Sequence, residues 1–356
     1  MTSLRWSAQL WNGPYSNTEG QTGQIGVICT GKVNFSANLL FSNNPSGRSL
    51  RCLSVGLDRV QGRTGLSLTL ANSCRTIGSR SAGFWPIGDS VTVRLLVDEW
   101  KLRHNVSQIA ALCAKHGLEL TGVTKGFGSQ PELVQAFVAG GAKVLADSRL
   151  DNLARLRDCG FELALLRSPA LSEVPRVVGT VDLSFNTEVV VLKALNDQAL
   201  NEGKRHRVIL MIDLGEGREG IPPEEASWVA EQVLKMPGLG LSGIGANFTC
   251  LSGLPPTKAQ LQALVELARE IRQHTGFNFP VVSGGNSSSL KLLEAGQIPP
   301  GITELRIGET ILTGCYVPEG NPVPYLYQDV FTLQAEVVEV RPRRIVVALG
   351  WLDVAV

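Results

Sequence analysis

The sequence predicts an α/β protein with the (β/α)8 TIM-barrel fold, and two observations support this prediction. From about residue 94 onward, eight apolar, strand-like segments alternate with amphipathic helical segments. Charged and amide side chains follow the strand-like segments, at the end of the barrel where proteins of this fold carry their chemistry. An open doubly wound sheet is the alternative, but it would normally bring a GxGxxG turn after its first strand, and none is present there.

The eight strand candidates are largely apolar, as expected for parallel strands that are covered on both faces. They are residues 120–125, 143–149, 163–168, 181–186, 208–214, 241–249, 280–284 and 304–308. The helical candidates are residues 100–116, 130–139, 149–159, 223–236, 257–275 and 287–295. Pro131 suits the first turn of its helix and Gly160 suits a C-cap, so both residues support these limits.

Composition excludes several classes of protein. The net charge of +1 gives no general electrostatic reason to bind nucleic acid or an acidic membrane surface. No apolar run approaches the roughly 18 residues that a membrane span needs. The seven cysteines are scattered, which predicts reduced thiols in a cytoplasmic protein. The four histidines have no metal-ligand spacing, so we expect no metal site.

Residues 1–93 differ in composition from the rest of the chain, being rich in small and polar residues and holding only three acids. Segments 25–29 and 66–70 have strand-like patterns, and neither a helix nor a clear domain signature accompanies them. We therefore leave this N-terminal extension unassigned. It is disordered, or it is a small β-rich interaction module, or it is upstream sequence wrongly joined to the gene.

The remaining chain divides into two predicted regions. Residues 94–325 form the barrel, which we expect to bind a cofactor. Residues 326–356 contain two further strand-like segments, 331–340 and 344–350, which read as the start of a C-terminal β-domain. Because the chain stops soon after the second segment, we expect this β-domain to be incomplete.

Two neighbouring loops are suited to bind a phosphate group. Residues 283–289 follow the seventh strand candidate and contain Gly284 and Gly285, whose backbone can approach an anion closely, and Ser287, which starts a helix. After the eighth strand candidate, Gly308 exposes its backbone N–H group. Barrels commonly bind phosphate with these two loops. The alternative is that residues 283–289 are only a flexible loop.

Lys125 is the last residue of the first strand candidate, so its amine lies at the same end of the barrel as the predicted phosphate site. A lysine amine opposite an anion site is what a protein needs to hold pyridoxal 5'-phosphate (PLP), an aldehyde that carries a phosphate. A lone lysine is more often a solvated charge. The combination of the two features therefore carries this prediction.

Six segments of the sequence match motifs of a known family. They are GVTKGFGSQPELVQAFVAGGAKVLADSRLDNL, ILMIDLGEGREGI, GIGANFTC, SGGNSSSLKLLEAG, LRIGETILTG and LYQDVFTLQAEVVEV. Through them, residues from about 94 to 335 resemble the alanine racemase N-terminal-domain superfamily, the fold-type III PLP enzymes, and in particular its alanine/ornithine racemase branch. The resemblance implies an alanine racemase-like barrel, PLP as the cofactor and an amino acid as the substrate.

The resemblance also implies roles for single residues at the cofactor. Lys125 would be the Schiff-base lysine and one of two catalytic bases. Asn286 and Ser287, with the backbone of Gly308 and Glu309, would hold the phosphate. Gly284 and Gly285 belong to the same cofactor-binding loop.

Other implied roles concern the ring of the cofactor and the substrate. Arg306 would meet the pyridine nitrogen and keep it unprotonated, because arginine does not give up its proton. Arg218 would bind the substrate carboxylate. Asn247 stands where alanine racemases have a ring-contacting histidine, a departure that agrees with the ornithine-type branch.

A basic substrate such as ornithine needs a carboxylate near its distal amine. Asp147, Asp213 and Glu309 follow strand candidates and are available for that contact. Arg149, close behind Asp147, is a further candidate for binding the substrate. These four residues complete the predicted site.

The predicted function is therefore a PLP-dependent racemase that interconverts L- and D-amino acids, with ornithine or another basic amino acid as substrate. Related two-base racemases use a tyrosine from the C-terminal domain of a partner subunit, which implies a homodimer if that domain is functional here. Tyr316, Tyr325 and Tyr327 are present, but none stands in a matching motif. The alternatives are a non-catalytic PLP-binding barrel and an inactive, truncated racemase.

Overall fold

In this computed structural model, the described residues are 93–341 and 344–350, together with five strands that precede them. The early strands are β1 (Gln24–Val27), β2 (Ser36–Ser42), β3 (Ser49–Cys52), β4 (Gly56–Val60) and β5 (Arg63–Ala71). Strands β1 and β5 overlap the two strand-like segments predicted before residue 94. The prediction for the remainder of residues 1–93 falls outside the described residues.

Eight parallel strands form a closed barrel, which confirms the predicted fold. They are β7 (Glu119–Val123), β8 (Val144–Asp147), β9 (Glu162–Leu165), β10 (Leu183–Asn186), β11 (His206–Ile212), β12 (Leu239–Ala246), β13 (Val281–Ser283) and β14 (Glu304–Ile307). Neighbours in the barrel follow chain order, and β14 pairs with β7 to close it. Each strand overlaps one of the eight predicted segments.

Helices alternate with the barrel strands and cover the outside of the barrel. They are α1 (Glu99–Lys115), α2 (Pro131–Ala139), α3 (Leu150–Ala154), α4 (Val174–Thr180), α5 (Val189–Asn201), α6 (Ala226–Leu234), α7 (Lys258–Thr275), α8 (Leu290–Glu294) and α9 (Glu309–Thr313). All six predicted helices are present, and α4, α5 and α9 were not predicted. None of the helices in the described part of the chain is both long enough and apolar enough to span a membrane.

Three predicted helices are shorter than expected. After α3, the chain continues through i→i+3 hydrogen bonds, such as Leu156 N to Leu153 O at 2.9 Å, so the predicted helix to residue 159 ends early. Helices α6 and α8 are each preceded by a 3₁₀ turn, over Pro223–Glu225 and Ser287–Ser289. Over a single turn, the 3.0-residue period of a 3₁₀-helix cannot be distinguished in the sequence from the 3.6-residue period of an α-helix, which explains the difference.

The core has two parts, one on each side of the barrel wall. A large cluster of buried side chains lies between the strands and the helices. A smaller cluster comes from neighbouring strands, and it comprises Ala146, Ala164, Leu183, Phe185, Ile209 and Met211. Because successive residues of a strand face opposite sides, Leu183 and Phe185 face the inside of the barrel and Ser184 faces the helices.

Strand β6 (Val93–Val97), directly before α1, pairs antiparallel with β15 (Phe331–Arg341). Strand β15 also pairs with β16 (Arg344–Gly350) and β5. Strands thus form where segments 331–340 and 344–350 predicted them. The limits of the three predicted regions remain a prediction.

Helix α1 carries a polar residue that connects it to the end of the barrel. The buried Asn105 amide donates to Ile311 O at 2.9 Å and Tyr327 O at 2.8 Å, and accepts from Tyr327 N at 2.8 Å. Ile311 belongs to α9, the helix that follows the last barrel strand. Asn105 therefore satisfies buried backbone groups and holds α9 in place.

His206 provides a test of the buried polar contacts. Its side chain is 3% exposed and its Nε2 lies 2.8 Å from Ser184 Oγ. Burial lowers the pKa of His206 from 6.5 to about 4. Between these pH values the unfolded chain binds a proton that the folded protein does not, so stability falls as pH decreases, by roughly 3 kcal/mol for a shift of this size.

When the pH is lowered from neutral to about 4.5, we expect the free energy of unfolding to decrease less in His206→Gln than in the wild type. Urea titration at each pH measures this decrease. Ser184→Ala is the control, because it removes the hydrogen-bond partner but keeps the imidazole. It should lower stability and retain the pH dependence. Equal pH dependence in wild type and His206→Gln would contradict the assignment.

Candidate functional site

Lys125 lies directly beyond β7 and opens a 3₁₀ turn over Lys125–Phe127, with its side chain exposed at the carboxyl end of the barrel. The preceding residue, Thr124, is buried, and its hydroxyl contacts Ser129 Oγ at 2.7 Å and Ala146 O at 3.2 Å. A Cβ atom on Gly126 would lie 2.5 Å from Leu312 in α9. The residues before and after Lys125 are therefore held in place, Thr124 by hydrogen bonds and Gly126 by close packing against Leu312.

The loops after β13 and β14 meet at the hydroxyl of Ser287. Ser287 Oγ accepts from the backbone N–H groups of Gly308 at 3.4 Å and Thr310 at 3.3 Å. Thr310 Oγ1 is buried and has no hydrogen-bond partner among the described residues. Two converging N–H groups and two hydroxyls form a set of donors that suits an anion such as phosphate.

Glycine is required at several positions of these loops. A Cβ atom on Gly308 would lie 2.5 Å from Val123 O, so the end of β14 touches the strand that leads to Lys125. Gly284 packs against Ile302, and Gly285 has a φ of +107°. The two glycines thus serve packing inside the protein, in addition to the predicted approach of an anion.

Asn286 holds the loop after β13 through its side chain. Its Oδ1 accepts from Ser288 N at 3.0 Å and from Ser288 Oγ at 2.6 Å, while its Nδ2 donates to Phe248 O at 2.7 Å. These bonds connect the loop to the end of β12. Glu309, the first residue of α9, has an exposed side chain.

Arg306 is a buried cation at the carboxyl end of the barrel. Its side chain is 4% exposed, and its guanidinium donates to Ser283 Oγ, to Ala246 O at 2.7 Å and to Asn247 Oδ1 at 2.8 Å. The guanidinium carbon lies 5.1 Å from the ring centre of Phe185. Burial lowers the pKa of Arg306, because removal from water disfavours the charged form. Its acceptors offset part of that cost.

A chain of hydrogen bonds leads from Arg306 to Arg218. Asn247 accepts from Arg306 and donates through Nδ2 to Glu219 Oε1 at 2.8 Å. Both carboxylate oxygens of Glu219 accept from the Arg218 guanidinium. The Arg218 hydrogen bonds lower the pKa of Glu219, and the same contact raises the pKa of Arg218. The structure thus brings together three predicted site residues, with Glu219 between two of them.

The loop after β11 positions Arg218 and Glu219. Asp213 Oδ1 accepts from the N–H groups of Gly215 and Glu216 at 2.9 Å and of Gly217 at 3.2 Å. Ile221 N donates to Met211 O at 2.8 Å, which closes the loop at its base. Such a loop has a defined shape without being part of a helix or strand.

Asp147 is placed differently from the prediction. It is 0% exposed, and its carboxylate accepts from Ser129 Oγ at 2.6 Å, Arg149 N at 2.8 Å and Asn152 Nδ2 at 3.1 Å. These bonds occupy the carboxylate within the protein, so the geometry does not support the predicted contact with a substrate. Arg149 occupies the N-cap position of α3 without a capping hydrogen bond from its side chain, which is exposed.

The three tyrosines considered as catalytic bases contact other surface groups. The hydroxyls of Tyr316 and Tyr325 both donate to the Glu294 carboxylate. Burial and the Glu294 carboxylate raise the pKa of Tyr316 to about 12 and raise that of Tyr325 as well. Tyr327 packs against Trp100 and His104. A raised pKa keeps a tyrosine protonated at neutral pH, so its hydroxyl is not available to accept a proton. None of these contacts involves the residues around Arg306.

Three residues of the site were not predicted individually: Ser283, Thr310 and Glu219. Ser283 and Thr310 are part of the loops that predicted phosphate binding, so the loops were recognised but not these contacts. Glu219 stands next to Arg218 in the sequence, and that adjacency was the available signal. Its contact with Asn247 joins two distant parts of the chain and has no local pattern.

A cavity of about 670 Å³ opens at the opposite end of the barrel. Its lining includes Glu162 and His206, the first residues of two barrel strands. Barrel enzymes carry their chemistry at the carboxyl end of the strands, where Lys125 and Arg306 lie. The carboxyl end is therefore the candidate active site, and this cavity is not.

Comparison with known proteins identifies the family to which the chain belongs. Residues 97–316 match the family model described as the N-terminal domain of alanine racemase. The chain is 37% identical to an ornithine racemase of Acetoanaerobium sticklandii, over 70% of this chain and 71% of that protein. It is 32% identical to a lysine racemase of Thermotoga maritima, over 70% of each chain.

A solved structure supports the fold. The alanine racemase of Clostridium difficile 630 superposes with a TM-score of 0.64 and 18% identity, over 75% of this chain and 74% of that one. At this level of identity the likeness concerns the fold alone. The family match covers more than half of the chain and spans all eight strands of the barrel. The chain therefore belongs to the family defined by the N-terminal domain of alanine racemase.

Proposed function

We propose that the protein is a PLP-dependent racemase of basic amino acids, in the ornithine and lysine class. The observation that carries this proposal is that three features lie at one end of the barrel: the turn that begins at Lys125, the buried Arg306 and the group of donors formed by Ser287, Gly308 and Thr310. We call this group of donors the Ser287 cradle. The two similar racemases named above, which act on ornithine and lysine, support the choice of substrate class.

The residues present fit the cofactor. The N–H groups of Gly308 and Thr310 and the hydroxyls of Ser287 and Thr310 would hold its phosphate, and the unpartnered Thr310 hydroxyl is explained by such a ligand. Lys125 would bond to its aldehyde, and Arg306 would face its pyridine nitrogen. When bound, PLP withdraws electrons from the α-carbon of an amino acid and so acidifies the proton there.

The protein supplies the remaining functions. The Lys125 amine would be the base that moves the proton at the α-carbon. Arg218 binds and orients the substrate carboxylate. Acceptors from two strands hold the Arg306 guanidinium in place. As a cation that does not give up its proton, Arg306 would leave the pyridine nitrogen of the cofactor unprotonated. This arrangement favours brief removal and return of a proton.

We expect Lys125→Ala to abolish the exchange of the α-proton of L-ornithine in heavy water, followed by NMR, and the appearance of D-ornithine, followed by chiral chromatography. The reason is that the variant lacks both the amine that bonds the cofactor and the base. Borohydride reduction of the wild type with PLP, followed by peptide mass spectrometry, should find the cofactor on Lys125.

Lys143→Ala is the matched control, since Lys143 is an exposed lysine at the amino end of β8. It should exchange the proton at the wild-type rate. A wild-type protein that binds PLP but exchanges neither ornithine nor lysine contradicts the proposed function. Exchange that persists in Lys125→Ala contradicts the role of Lys125.

The Ser287 cradle leads to a separate prediction. Ser287→Ala removes a hydroxyl from the donors that would surround the phosphate, and a hydrogen bond to a charged group contributes about 1.5–3 kcal/mol. We therefore expect the Kd for PLP, measured by absorbance titration, to rise at least tenfold. Ser172→Ala, at an exposed serine that follows β9 and belongs to neither of the two phosphate-binding loops, should leave the Kd unchanged. Equal affinity in Ser287→Ala and the wild type would place the phosphate elsewhere.

A further inference from the structure

Glu219 is a half-buried carboxylate at the candidate active site, and the sequence did not single it out. Its side chain is 30% exposed and that of Arg218 is 38% exposed. The pair is close to Asn247 and Arg306, since Asn247 contacts both Glu219 and Arg306 at 2.8 Å. A substrate that reaches Arg218 therefore also reaches the carboxylate of Glu219.

Other carboxylates at this end of the barrel have structural partners. Asp147 is buried with three hydrogen bonds from the protein. Asp213 Oδ1 accepts from three backbone N–H groups, and Glu216 accepts from Leu251 N and from Ser252 Oγ at 2.8 Å. Removing these carboxylates from their partners would open the loops that they hold. Glu219 differs because one of its partners is the arginine proposed to bind substrate.

We propose that Glu219 selects substrates that carry a distal ammonium group, an inference that rests on the racemase function proposed above. In the structure, the Glu219 carboxylate and the Arg218 guanidinium neutralise each other. When a substrate carboxylate binds Arg218, Glu219 loses the partner that donates to both of its oxygens. A substrate side chain that ends in an ammonium group restores the lost charge pair.

The loss of Arg218 as a partner of Glu219 also disfavours substrates with neutral side chains. An alanine or leucine substrate would engage Arg218 and leave Glu219 with the Asn247 amide alone. A half-buried carboxylate without a cation is unfavourable, so the site selects against such substrates as well as for basic ones. Glu219 would thus provide the contact with the distal amine for which Asp147, Asp213 and Glu309 were the predicted candidates.

The substitution Glu219→Gln removes the negative charge of the side chain and keeps its hydrogen bond with Asn247. A glutamine carbonyl still accepts from Asn247 Nδ2, so the orientation of Asn247 toward Arg306 is kept. The variant loses the negative charge and one of the two oxygens that accept from Arg218. Glu219→Asp keeps the charge on a shorter side chain, and Glu224→Gln makes the same charge change at an exposed position before α6.

The experiment compares L-ornithine with L-norleucine, in which a methyl group replaces the distal ammonium. The kcat/KM for α-proton exchange in heavy water is measured for both substrates with each PLP-loaded variant. We expect the ratio of ornithine to norleucine to fall at least tenfold in Glu219→Gln, to fall less in Glu219→Asp and to stay unchanged in Glu224→Gln.

Several results would overturn the inference. An equal loss for both substrates in Glu219→Gln means that Glu219 only holds Arg218 in place. A loss of PLP affinity that matches the loss of activity would locate the effect at Arg306. A fall in the ratio that occurs in Glu309→Gln and not in Glu219→Gln would assign the preference to Glu309.

The wild type separates this inference from the proposed function. If the wild type with PLP exchanges neither substrate, the racemase function fails and the inference fails with it. If it exchanges both substrates with equal kcat/KM, the racemase function stands and the preference assigned to Glu219 is wrong. Preference for ornithine in the wild type, lost in Glu219→Gln, supports both.

Discussion

The burial of the Arg306 guanidinium is the constraint on which the rest of the site depends. A buried cation is costly unless polar groups surround it, and here the acceptors are Ser283 and two groups at the end of β12. The ends of β12 and β13 must therefore lie where their oxygen atoms can accept hydrogen bonds from Arg306, the side chain that β14 contributes. The loop after β13 also supplies Ser287, which meets Gly308 and Thr310. The hydrogen bond of Arg306 with Ser283 thus helps to position the loop whose Ser287 forms part of the candidate anion site.

The contact between Asn247 and Glu219 extends this constraint toward the substrate. An amide that must present its oxygen to Arg306 can offer only its nitrogen to Glu219, so the direction of each hydrogen bond in the chain is determined. Glu219 in turn orients Arg218. Asn247 and Glu219 thus connect Arg306 to Arg218, the residues proposed to meet the cofactor and the substrate. In the proposed function, the same carboxylate contributes to the arrangement of the site and to substrate preference.

The sequence predicted the barrel because its strands are buried on both faces and read as apolar runs separated by helical periodicity. Helices α4 and α5 were missed, and both are rich in valine near their starts, which resembles a strand pattern. The location of the site was predictable because parallel strands end on the same side. The burial of Asp147 and its hydrogen bonds could not be predicted, because its partners Ser129 and Asn152 come from two other segments. The contact of Glu219 with Asn247 is likewise tertiary and leaves no local signal.

The most direct test of this account is a crystal structure of the protein with bound PLP. The account predicts continuous electron density between Lys125 Nζ and the cofactor, with the phosphate at Ser287, Gly308 and Thr310 and the pyridine nitrogen at Arg306. It also predicts that the contact between Asn247 and Glu219 persists. A cofactor found in the cavity at the amino end of the strands, or a phosphate away from the Ser287 cradle, would contradict it.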